Sequence, residues 1–141
     1  MLKGIPSILS PELLKILMEM GHGDEIVIAD GNFPSANYGQ RLVRLDGHGV
    51  PEVMTAILDL MPLDIYSDAP VALMEVVPGD TYVPEIWDTY RAIIKEKEGD
   101  KKLENVERFA FYDRAKEAYA VVATGETSLY ANVILKKGVV V

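Results

Sequence analysis

Between residues 10 and 34 a helix signal, a glycine-bounded turn and an apolar strand signal follow one another with almost no slack, and this unit constrains the fold more than any other feature. Ser10 is a natural N-cap, Pro11 suits the first helical position, and Glu12 in the first turn is favoured by the helix dipole. Leu13, Leu14, Ile16, Leu17 and Met20 recur at helical spacing and predict a helix over 11–20 with one apolar face. Gly21 stands where such a helix would end, at a position that often needs positive φ. After the connection Gly21 to Asp24, the β-branched run from Glu25 to Ala29 reads as a buried strand. Asp30, Gly31, Asn32 and Pro34 are turn formers and stop it.

The rhythm continues less cleanly. Residues 41–45 alternate as a strand, Gly47, His48 and Gly49 break it, and Pro51 opens a helix carrying Val53, Met54, Ile57, Leu58 and Met61. Residues 71–77 read as a strand stopped by Pro78 and Gly79. Pro84 begins a helix through Ile86, Trp87, Tyr90, Ile93 and Ile94, which fades into the charged run 95–102, a solvated helix end and loop. A helix over 109–118 and strands over 119–124 and 132–136 follow. Alternating elements of this kind predict an α/β fold, arranged as three α/β/α layers around a mostly parallel central sheet. The 141 residues fit one domain, 1–141.

Composition removes several function classes. The chain has no cysteine, which excludes disulfides, thiolate metal sites and a cysteine nucleophile. With 14 Lys and Arg against 22 Asp and Glu the formal charge is −8, the wrong sign for a protein that tracks phosphates, so nucleic acid is a poor partner. Pro6 and Pro11 interrupt any signal-peptide core, no apolar run approaches the length of a membrane span, and a soluble cytoplasmic protein is the default expectation. The phosphate-binding pattern G-x-G-x-x-G is not completed at either Gly-His-Gly, because Ile26 and Glu52 occupy the third glycine's place. Two histidines separated by a whole strand make a catalytic zinc site an unfavoured reading, and no metal is expected.

Open α/β sheets bind ligands beyond the carboxyl ends of their strands. Asp30 directly follows a strand and is flanked by a glycine that would leave room for a small molecule; it could equally cap its own turn. His22, between Gly21 and Gly23, carries the side chain whose ordinary pKa lies nearest neutrality, suited to giving and accepting protons, or it is a surface histidine at a helix C-terminus. His48 has the same glycine neighbours and suits a loop role. Residues 124–132 form a polar loop offering hydroxyl, phenol and amide groups to a polyol, or an ordinary hairpin connection. Arg108 is a ligand clamp or a cation at a helix start, and Phe111 and Tyr112 suit core or interface packing.

Taken together, the motifs Leu9–Lys15, Met20–Glu25, Ala29–Pro34, Arg108–Ala115, Thr124–Glu126 and Tyr130–Val139 resemble the D-ribose pyranase and L-fucose mutarotase family, on its L-fucose mutarotase side, and they are spread over essentially the whole chain. The resemblance implies an isomerase of sugar metabolism that interconverts the anomers of L-fucose, with ring forms of D-ribose as a related substrate, and needs no cofactor. It implies His22 as the acid/base residue, Asp30 and Arg108 as sugar-binding residues, and Tyr130, Ala131 and Asn132 as the segment that grips the sugar, with Tyr130 a candidate for the second proton transfer. It also implies a homo-oligomer, a decamer, with sites between neighbouring subunits. The competing expectation is a non-catalytic sugar-binding or sensor protein on the same scaffold.

Overall fold

A computed structural model describes residues 1–141. In chain order the elements are α1 (Pro11–Glu19), β1 (Glu25–Ala29), α2 (Ser35–Tyr38), β2 (Leu42–Leu45), α3 (Val50–Leu58), β3 (Val71–Met74), α4 (Ile86–Glu98), β4 (Leu103–Val106), α5 (Arg108–Glu117), β5 (Ala120–Thr124) and β6 (Val133–Lys136). The six strands form one mixed sheet in the order β2-β5-β1-β6-β3-β4. β1, β2 and β5 pair in parallel, as do β3 and β4, while β6 runs antiparallel to both β1 and β3. Five strands therefore share one direction, and a single reversed strand joins the two parallel groups.

Side chains alternate across a strand, so Ile26 and Ile28 face one side of the sheet and Val27 and Ala29 the other. The first side packs with Val71, Leu73, Val122 and Leu135 against the apolar stripes of α1, α3 and α4. The second packs with Ala72, Met74 and Ile134 against Phe33, Phe111, Ala115 and Ala118, contributed by α5 and the segment leading into α2. This gives the expected three layers. β1, β3 and β5 are buried on both faces, which is why they read as continuous apolar runs rather than alternating ones.

Local chemistry accounts for some of the element ends. Ser10 caps α1 by accepting from the Leu13 amide at 3.2 Å. The end of α1 departs from expectation: Met20 turns out of the helix in extended backbone, and the positive φ falls at Gly23 (86°) rather than Gly21. The Asp24 carboxylate takes the Gly21 amide at 2.7 Å and supplies the closure that a left-handed glycine would have provided. β3 stops at Met74, earlier than the apolar run suggests. Two elements escape the sequence pattern, the one-turn helix α2 and the edge strand β4, whose Leu-Glu-Asn-Val composition lacks the β-branched signal of the central strands. No helix is long and apolar enough to cross a membrane.

Candidate functional site

The reversed strand explains where the site lies. β1 and β3 end at one edge of the sheet, and because β6 runs the other way its start, Asn132, arrives at that same edge. There Asp30, Asn32, Phe33, Met74, Asp80, Arg108, Tyr112, Leu129, Tyr130 and Asn132 line an open cleft of about 310 Å³. Four of the expected site residues, Asp30, Arg108, Tyr130 and Asn132, are thus brought together from three separate stretches of chain.

Asp30 is 7% exposed and held by two side-chain hydrogen bonds. Its amide donates to Asn132 Oδ1 at 2.7 Å, and its Oδ1 accepts the Asn32 amide at 3.0 Å, so the turn-capping reading is correct and coexists with a place in the cleft. Burial pushes its carboxyl above the ordinary range, although the amides of Asn32, Phe33 and Ala131 pull the other way. The space beside Gly31 is taken by the chain itself rather than left for a ligand. A Cβ there would stand 3.3 Å from the Glu126 carbonyl oxygen, which accepts the Gly31 amide at 2.9 Å. Asn132 spends its Oδ1 on Asp30 and keeps its amide N–H groups for a ligand.

Tyr130 is the one non-glycine residue with positive φ, at 55°, a conformation that costs roughly 1–2 kcal/mol in an L-residue. The strain is held from the opposite face of the sheet. Trp87 Nε1 donates to the Tyr130 carbonyl at 2.8 Å, and the Tyr90 hydroxyl donates to the Ala131 carbonyl at 2.6 Å. The apolar stripe of α4 therefore does more than fill the core, since its polar tips fix the backbone of the 130–131 turn. Ala131, fully buried, takes part through that backbone. The Tyr130 hydroxyl donates to Asp80 Oδ2 at 2.6 Å, and its ring stacks on Tyr82 at 6.0 Å. The Asp80 carboxylate holds the phenol above its ordinary pKa, so the phenol keeps its proton at neutral pH and offers a lone pair to a ligand hydroxyl.

Arg108 opens α5, where the dipole disfavours a cation, but the Glu107 carboxylate caps the same turn through the Phe109 and Ala110 amides at 3.0 Å each. The guanidinium lies over Phe109 and Tyr112 at 5.4 and 5.5 Å, and Nε donates to the Tyr112 hydroxyl at 3.3 Å. Arg108 is a cation at the lip of the cleft, braced by aromatic rings. Phe111 is core, as expected, whereas Tyr112 also lines the cleft.

His22 is elsewhere. It precedes β1 while Asp30 follows it, and a five-residue strand spans roughly 16 Å at about 3.3 Å per residue. The imidazole Nε2 meets Asp64 Oδ1 at 3.0 Å, and its ring lies 5.5 Å from that of Tyr66. The Asp64 carboxyl is pushed up by burial, but the Tyr66 amide, the imidazole and Lys136 together outweigh this and hold it below the ordinary range. His48 pairs with Glu52 at 3.1 Å in its loop. No three His, Asp or Glu side chains converge as a metal-ligating group. Sequence reasoning passed over Asp80 and Asp64. Asp80 could have been found, since it follows β3 at the same edge of the sheet as Asp30; Asp64 lies in an irregular loop with no local signal.

Known proteins share both the sequence and this fold. A fucose mutarotase from Danio rerio is 54% identical over 146 residues, covering 99% of this chain and 94% of its own. The crystal structure of the fucose mutarotase from Streptococcus pneumoniae in complex with L-fucose superposes with a TM-score of 0.95 at 58% identity, covering 99% of this chain and 100% of that one. Bacillus subtilis RbsD complexed with D-ribose superposes with a TM-score of 0.76 at 26% identity, over 100% of both chains. The model of the RbsD / FucU transport protein family matches residues 3–140, nearly every residue that builds the sheet and its polar edge. With a fucose mutarotase more than half identical across its length, the chain belongs to the RbsD / FucU family.

Proposed function

We propose that this chain is a cytoplasmic sugar mutarotase, a single domain over residues 1–141, that interconverts the α and β anomers of L-fucose, with D-ribose as a second candidate substrate. One observation carries the reading. The chain gathers Asp30, Arg108, Tyr130 and Asn132 around one open cleft, and it is 58% identical to a fucose mutarotase crystallised with L-fucose. The ribose arm draws support from the likeness to RbsD complexed with D-ribose.

The reaction needs two proton transfers. The anomeric hydroxyl loses its proton, the bond from the anomeric carbon to the ring oxygen breaks, and the ring oxygen takes up a proton. The carbonyl then rotates and the ring closes on its other face. Asp30 and Tyr130 accept from sugar hydroxyls, while Asn132 and Arg108 donate to them. A site that hydrogen-bonds a polyol must pair its own polar groups, and these four supply both senses of bond. His22 supplies one proton transfer, a step typically worth about 10²–10⁴-fold. The second runs through Tyr130 or water.

Within one chain the imidazole and the cleft lie at opposite ends of β1, farther apart than a monosaccharide reaches. The working site is therefore shared, with His22 of one copy completing the cleft of its neighbour. Such repeated head-to-tail contacts close into a ring, and a decamer satisfies that requirement. Saturation-transfer NMR on L-fucose tests the activity, and faster exchange between anomers with protein than without is the expected result. Binding with no faster exchange would select a sensor role instead.

A further inference from the structure

We infer that Asp64 is a positioning residue for His22, holding the imidazole with Nε2 protonated so that Nδ1 is the nitrogen that exchanges a proton with the substrate. The inference rests on the mutarotase reading for what the proton is exchanged with; the ring's orientation stands without it. Asp64 belongs to the loop between α3 and β3 and is 6% exposed, whereas the His22 side chain is 45% exposed. The anchor is buried, and the group it anchors opens outward.

Two donors converge on Asp64 Oδ1, the Tyr66 amide at 3.1 Å and His22 Nε2 at 3.0 Å. A carboxylate has no proton to give at neutral pH, so the bond runs from Nε2–H to the oxygen, and in the neutral ring the lone pair falls on Nδ1. The amide fixes where the oxygen sits. The Tyr66 ring lies alongside, tilted at 56° to the imidazole with the ring centroids 5.5 Å apart. When Nδ1 takes up a proton during turnover, the cation that forms already has a carboxylate beside it.

Nitrogen-15 NMR of the imidazole, with no sugar present and the ring neutral, tests the inference directly, the His22 signals being assigned by their loss in His22→Ala. The expected result is a protonated Nε2 and an unprotonated Nδ1; the opposite tautomer, or equal populations of both, would overturn it. In a folded Asp64→Ala the tautomers should average and anomer exchange should fall by about 10²-fold, inside the range of a general acid/base contribution. L-Fucose affinity, read by titration, should change by less than the rate does. Undiminished exchange in that variant would also overturn the inference. If Asp64→Ala does not fold, the wild-type tautomer decides. Absence of exchange in the wild type with the Nε2–H tautomer present would defeat the mutarotase reading and leave the positioning intact.

Discussion

β1 has a buried carboxylate near each end, and the two behave in opposite ways. At its carboxyl end Asp30 is buried against amides with no cation beside it, and its carboxyl is held above the ordinary range. Near its amino end Asp64 is equally buried, yet an imidazole and a lysine share its surroundings and its carboxyl lies below that range. The difference is the company each one keeps, since burial acts upward on both. A carboxylate without a cation is open to hydroxyl groups, which suits binding. One paired with an imidazole is already engaged and suits holding a proton carrier still.

The largest effect that would break this division is at the imidazole. His22→Ala should lower L-fucose anomer exchange by about 10²–10⁴-fold while the fold and sugar affinity persist, and a wild-type rate would remove the amino-end cluster from the chemistry. Asp30→Ala should instead act on affinity, weakening sugar binding by about 10- to 100-fold, the scale of a hydrogen bond to a charged group. If the two clusters meet only between copies, co-refolding the His22→Ala and Asp30→Ala chains should restore about a quarter of the sites, because random assembly pairs an intact cleft with an intact histidine that often. No recovery would place both groups in one chain's site or in none.

Stability effects are smaller and carry opposite signs. Asn132→Ala strips the Asp30 amide of its partner and should cost about 1–3 kcal/mol in denaturant unfolding. Because Asp30 binds a proton more readily in the folded chain than in the unfolded one, it favours the fold at acid pH, and that contribution is lost as pH rises through its raised pKa. Asp64 does the reverse: its contribution is present above the ordinary carboxylate range and is lost as pH falls through its lowered pKa. Melting temperatures across the acid range should therefore show Asp30→Asn gaining relative to the wild type at the upper end, and Asp64→Asn losing there. Parallel curves for the two variants would end the contrast.

Much of the fold was legible because burial on both faces writes an unbroken apolar run, as in Ile26 to Ala29 and Val71 to Met74. β4 was not, because an edge strand needs no such run and its Glu104 and Asn105 resemble loop residues. The cleft was legible where a residue directly follows or precedes a strand, as Asp30 and Asn132 do. It was illegible where the determinant is a contact across the fold. Nothing local marks Trp87 and Tyr90 as supports of the 130–131 backbone, and nothing near His22 announces that Asp64 meets it from 42 positions away.

The reversed strand also governs the order of assembly. β1 meets β3 only through β6, so until residues 133–136 are in place the sheet consists of two unjoined rafts, β2-β5-β1 and β3-β4, each showing a bare apolar edge. β6 is the last strand in chain order, so that seam can close only once nearly the whole sequence has been made, and an unpaired strand edge is the kind of surface that invites aggregation.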